Sequence, residues 1–163
     1  MIQRIQTVYL ALVFIFSFVS LLSPMGEWMV ADTIVAQFSN FTFNAFGDYK
    51  SLDETSGPWC LGVLLIIVMV LSLLSIMLFR KRMRQLRLTI VSTILLVGYA
   101  ATYAFFAYVV YQLKIDNIAS IPPPVFHLRF MAVFPVISII LNCLAIQGIR
   151  KDEALVRSLD RIR

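Results

Sequence analysis

Four runs of apolar residues, each long enough to cross a bilayer, dominate this chain of 163 residues. They cover about residues 5–22, 58–79, 88–111 and 128–149, and the second contains CLGVLLIIVMVLSLLSIMLF without a charge. About 20 apolar residues in a helix span the roughly 30 Å of hydrocarbon. Lipid offers the backbone no hydrogen bonds, so such runs must satisfy their own amides as helices. The remainder agrees: 60% of residues are apolar, 14% are charged, and the mean hydropathy is +0.87. The expected fold class is therefore an all-α membrane protein. It would be a four-helix transmembrane bundle within a single domain, residues 1–163, with an outer loop at 23–57 and a tail helix at 150–163.

The charges set an orientation. Arg4 precedes the first run; Arg80, Lys81, Arg82, Arg84 and Arg87 fill the link between the second and third; Arg150, Lys151, Arg157, Arg161 and Arg163 follow the fourth. Only Lys50, Lys114 and Arg129 fall on the other side, together with Glu27, Asp32, Asp48, Asp53, Glu54 and Asp116. Short loops rich in Lys and Arg stay in the cytoplasm, which predicts that both termini are cytoplasmic. The net charge of +5 thus reports topology and gives no sign of a nucleic-acid partner. The five cations at Arg80, Lys81, Arg82, Arg84 and Arg87 can also attract anionic lipid headgroups, at about 1 kcal/mol each near the surface.

The first run is too long for the core of a signal peptide. Its exit, Ser20-Leu21-Leu22-Ser23-Pro24-Met25-Gly26, has no small-x-small cleavage pattern, so it is expected to remain as an anchor. The two cysteines do not pair. Cys60 stands at the outer end of the second run. Cys143 lies about 24 Å deeper than the outer end of the fourth, at 1.5 Å per helical residue, far beyond the roughly 7 Å between Cα atoms that a disulfide tolerates. Two thiols without a His or acid beside them make no zinc site either.

The loop at 23–57 is rich in aromatics, with Trp28, Phe38, Phe41, Phe43, Phe46 and Tyr49. Thr33 to Phe38 has β propensity, Phe41 to Asn44 alternates apolar and polar, and Ser39-Asn40 can turn between them. A two-strand ribbon follows, which needs support from the helix ends or from a partner. It reads either as a docking surface or as a lid. Asn40-Phe41-Thr42 also matches the N-glycosylation tripeptide, a frequent chance pattern. In the second outer loop, Leu113 to Pro124, the run Pro122-Pro123-Pro124 is a stiff spacer. His127 and Arg129 follow it as candidates for ligand or headgroup contact.

Inside the spans the polar residues are few. Span three carries a small-residue stripe, Ala100, Ala104 and Ala107, with Gly98 and Thr102 nearby, and small residues let helices approach closely in lipid. Its Tyr99 and Tyr103 lie deep and need hydrogen-bond partners. On span four Pro135, Ser138, Asn142 and Ala145 share one helical face. Pro135 is expected to kink the helix and free the Met131 carbonyl, with Ser138 and Asn142 bonding across to a neighbour. Tyr99, Tyr103, Ser138 and Asn142 are thus the candidate polar residues of the interior. No Asp, Glu, Lys or Arg lies in a span interior, whereas proton relays and coupled transporters carry such groups. Catalytic motifs, metal clusters and phosphate loops are not apparent; no cofactor is expected. The tail from Ile149 reads as a helix with Leu155, Leu159 and Ile162 on one face, and Gly148 as the place where it bends from span four.

The ends of the chain, MIQRIQTVYL and IRKDEALVRSLDRIR, resemble a family of small four-helix bacterial inner-membrane proteins classed as a domain of unknown function. The likeness runs along essentially the whole chain, and it implies a location and an architecture but no activity. Claudin-like tetraspan proteins also have a long first outer loop, but their paired loop cysteines are missing here.

Two functions are compatible with these residues. One is a non-enzymatic interaction, scaffold or accessory protein whose partners are the bilayer and another membrane protein or a second copy. The other is a lipid- or quinone-binding protein; a membrane-embedded enzyme is a third and disfavoured reading. A closed bundle favours the first; a lateral groove lined by Tyr99, Tyr103 and Asn142 favours the second.

Overall fold

The computed structural model describes residues 3–30, 32–46, 58–79, 82–110 and 125–162. Among them are four helices long and apolar enough to cross a membrane: α1 (Gln3–Leu22), α2 (Trp59–Met77), α3 (Arg82–Val110) and α4 (Phe134–Ile162). They close into a ring in which α1 packs on α2 and α4, and α3 packs on the same two. Neighbours in sequence are neighbours in space, the arrangement expected of an up-down bundle.

Each helix buries one narrow stripe at alternating spacings of three and four. On α1 it is Gln6, Leu10, Val13, Ser17 and Ser20; on α2, Leu61, Leu65, Val68, Ser72 and Ser75. On α3 it is Gln85, Thr89, Ser92, Leu96 and Tyr99; on α4, Pro135, Ser138, Asn142, Ala145, Ile149 and Asp152. A repeat of 3.5 residues keeps one face toward the partner in left-handed helix packing. The polarity is inverted relative to a water-soluble bundle: hydroxyls and amides line the seam, while large apolar side chains such as Ile94, Val97 and Phe105 point outward.

The small-residue stripe of α3 is not part of that seam. Gly98 and Ala104 are exposed, and a Cβ built on Gly98 meets nothing within 4 Å. The close approach is made instead at Gly148 of α4, where an added Cβ would stand 3.0 Å from Gln6 Cγ of α1. Gly148 is therefore a packing position and not a hinge. α4 runs unbroken to Ile162, so the expected tail is the end of the fourth helix; the packing of Leu155, Leu159 and Ile162 lies outside the described residues.

Two further boundaries differ from the sequence reading. Arg82, Arg84 and Arg87 belong to the first turns of α3 and not to a link, because Arg, Met, Gln and Leu are good helix formers; Arg80 and Lys81 lie outside the described residues. Leu128 ends a strand, and the fourth helix begins with a 3-10 turn at Phe130–Val133. Pro135 consequently falls in the first turn of α4, where a missing N–H breaks no hydrogen bond. The Met131 carbonyl accepts the Phe134 N–H, so it is not freed and no mid-span kink arises.

The cap is a four-stranded antiparallel sheet and not a two-strand ribbon. Its strands are β1 (Gly26–Val30), β2 (Thr33–Phe38), β3 (Phe43–Ala45) and β4 (Val125–Leu128), in the order β3-β2-β1-β4. Pro24 separates α1 from β1, since a proline disfavours helix in the residue before it. Asp32 turns β1 into β2 with φ 65°, a left-handed conformation that Asp tolerates better than most residues. One face of the sheet, with Trp28, Ala36, Phe38, Phe43 and Ala45, is buried in the same core as Leu61, Leu65, Leu96 and Tyr99. The Trp28 ring meets Phe126 at 4.8 Å and Phe43 at 5.9 Å between centroids. The cap and the bundle thus share one interior.

Candidate functional site

The polar seam inside the bundle is the candidate site, and it has three levels. At the cap end the organising residue is Asn40, fully buried in the turn between β2 and β3. Its Nδ2 donates to the Ser20 carbonyl in the last turn of α1. Its Oδ1 accepts the Tyr99 hydroxyl of α3 at 2.7 Å, and its backbone carbonyl accepts the Gly62 N–H in the first turn of α2 at 3.2 Å. Helix ends carry carbonyls and amides without intrahelical partners. Asn40 satisfies one such group on each of two helices and a buried hydroxyl on a third. The Phe41 ring lies against Gly62, in the space a Cβ would need. A side chain so enclosed leaves no room for a glycan, so the Asn40-Phe41-Thr42 tripeptide is a structural turn in the folded protein.

At mid-depth, Asn142 of α4 donates through Nδ2 to Ser92 Oγ of α3 at 3.2 Å. Ser138, one turn away on the same face, is also fully buried, but its Oγ has no partner among the described residues, and neither has Asn142 Oδ1. Ser17 Oγ on α1 is in the same condition.

At the opposite, arginine-rich end, Gln6 Nε2 donates to Asp152 Oδ2 at 2.7 Å, tying α1 to α4. Arg82 Nη1 donates to the Asp152 carbonyl at 3.1 Å, tying α3 to the same point. Ser75 and Thr89 exchange a hydrogen bond at 3.0 Å and join α2 to α3, while Thr89 also donates to the Gln85 carbonyl of its own helix.

The four residues singled out for the interior are therefore placed unequally. Tyr99 and Asn142 are 1% and 0% exposed and bonded; Ser138 is buried, but among the described residues it makes no bond across the bundle. Tyr103 packs its ring on Phe38 and Tyr99 at 5.6 and 6.5 Å, with its hydroxyl buried and without a partner among the described residues. Arg84 and Arg87 are exposed, whereas Arg82 donates to the Asp152 carbonyl. Both cysteines are free thiols.

Sequence reasoning missed Asn40, Gln6, Ser75, Thr89 and Asp152 as structural polar residues. The signal was present as polar residues on the buried stripe of each helix, such as Ser72 and Ser75 on α2 and Gln85, Thr89 and Ser92 on α3, and such a stripe was read on α4 alone. The outer face of the cap also went unread. Asn44, Gln37, Glu27 and His127 stand in register across the four strands, and Arg129 pairs with Glu27 at 2.8 Å. Arg129 is thus an ion-pair partner within the cap. His127 is exposed on β4.

Among the described residues no three His, Cys, Asp or Glu side chains cluster as metal ligands. Neither a curated protein nor a solved structure matches the chain significantly. A family profile described as a domain of unknown function, DUF4293, matches residues 2–162. With that match covering nearly its full length, the chain belongs to the DUF4293 family.

Proposed function

We propose that this protein is a non-enzymatic, multi-pass interaction or accessory protein of the bacterial inner membrane, with both termini cytoplasmic. The observation that carries the reading is the inward burial of Tyr99 and Asn142. A lipid- or quinone-binding groove needs those two groups open to the side of the bundle. They face other helices instead, and the cap packs over the Tyr99 end. What the protein offers outward is apolar surface, including the exposed Gly98, Ala101 and Ala104 of α3, where a second membrane helix can approach closely. The basic end supports the orientation through the rule that Lys and Arg stay inside, and Arg84 and Arg87 suit anionic headgroups there.

Native mass spectrometry of protein extracted in a mild detergent tests the reading. A second copy or another membrane protein should be retained at fixed stoichiometry, and Ala101→Leu should release it while the fold survives. A bound quinone or lipid without any protein would support the alternative function, for which the Tyr103 hydroxyl and Trp28 Nε1, both buried without a partner among the described residues, are the motivating groups. Reporter fusions at Met1 and Arg163 test the topology, and an outside signal at either end would overturn it.

A further inference from the structure

The middle of the polar seam holds two oxygen atoms without a hydrogen bond to any described residue. Ser138 Oγ and Asn142 Oδ1 are both completely buried, on one face of α4, with no partner among the described residues. Other hydroxyls of this bundle solve the problem locally: Thr89, Thr93 and Thr102 each donate to the carbonyl four residues earlier. Ser138 does not. The facing helices bring the apolar Val13, Val68 and Leu96 to the core, which can neither donate nor accept. Exchanging O and N of the Asn142 amide does not remove the difficulty. It would turn the acceptor toward Ser92 and leave two N–H donors unpartnered in place of one oxygen and one N–H.

Buried polar groups in native proteins are nearly always bonded, to protein or to ordered water. We propose that Ser138 and Asn142 form a binding site for a buried water molecule, with Ser17 as its third contact. Residues four apart on a helix hold their Cβ atoms about 5–6 Å apart, a gap that one water with two bonds of about 2.8 Å closes. A buried water typically makes about three hydrogen bonds, and the third comes from α1. The Phe16–Phe134 stack at 5.0 Å and the Gln6–Asp152 bond set α1 antiparallel to α4. That register brings Ser17, itself buried and without a partner among the described residues, to within about a helical turn of Ser138 in depth. All three protein groups are neutral, which suits water and disfavours an ion. The chain Ser138–water–Asn142–Ser92 then links α4 to α3, and Ser17 brings in α1.

The test uses 15N-labelled full-length protein in phospholipid bilayers and magic-angle-spinning NMR. Magnetisation is selected on water protons and read on the Asn side-chain amides. Asn40 serves as the internal standard, because its amide is equally buried but has both of its polar atoms bonded within the protein. The Asn142 amide should receive water magnetisation at short mixing times and the Asn40 amide should not. In Ser138→Ala the Asn142 signal should persist and its transfer from water should be lost. Equal transfer to Asn142 and Asn40 in the wild-type protein would overturn the proposal. So would undiminished transfer to Asn142 in Ser138→Ala. If Ser138→Ala fails to fold, the wild-type comparison alone decides.

Discussion

Replacing Asn40 by Ala removes two side-chain hydrogen bonds at once and leaves two buried groups behind: the Ser20 carbonyl at the end of α1 and the Tyr99 hydroxyl of α3. Side-chain hydrogen bonds inside membrane proteins are worth about 0.6 kcal/mol on average and about 1.7 at most, so two of them give roughly 1–3 kcal/mol. A buried group stranded without a partner costs about 1–3 kcal/mol. Both groups here sit beneath the cap, out of reach of solvent, which places the expected loss in the upper half of that range, at about 2–3 kcal/mol. The backbone bond from Gly62 to the Asn40 carbonyl survives the substitution and keeps the turn in place. Tyr99→Phe strands only Asn40 Oδ1 and should cost about 1–2 kcal/mol. The double variant should cost less than the sum, since each single change already breaks the shared bond; a coupling of at least about 0.5 kcal/mol is expected for residues in direct contact. Reversible unfolding in mixed micelles, followed by circular dichroism for all four proteins, measures these values. Strict additivity, or an Asn40→Ala variant as stable as wild type, would refute the view that Asn40 joins three helices to the cap.

Other substitutions probe the remaining levels of the seam by the same unfolding assay. Asn142→Leu removes the bond to Ser92 and should cost roughly 1 kcal/mol, and an unchanged midpoint would show that the 3.2 Å contact carries no net energy. Gly148→Leu forces a side chain against Gln6, where even a Cβ stands at 3.0 Å from Cγ, and should cost about 1–3 kcal/mol as overpacking does; Gly98→Leu, in open space, should not destabilise. Glu27→Gln breaks a partly exposed ion pair with Arg129 and should cost less than about 1 kcal/mol, with the difference shrinking as salt is raised.

How much of this was legible from the sequence depended on the range of the interaction involved. Long apolar runs force helices because lipid cannot hydrogen-bond a backbone, so the four helices and their antiparallel order could be read one segment at a time. The separation of the cysteines was equally local, being a matter of helical rise. The strand at Thr33–Phe38 was visible in its own β-branched and aromatic residues, but β1 and β4 were not. Their pairing joins Glu27 to His127 across about a hundred residues, and segments of five and four residues are too short to declare a strand alone. The role of Asn40 was hidden for the same reason. A turn residue followed by Phe and Thr looks like a modification tripeptide until α1, α2 and α3 close around it. Hydropathy also conceals the seam, since averaging over a window hides a stripe of Ser, Thr, Gln and Asn beneath the apolar residues that face outward. Those polar side chains acquire partners only when four helices meet, and tertiary packing alone decided that Asn142 found Ser92 while Ser138 found no partner among the described residues.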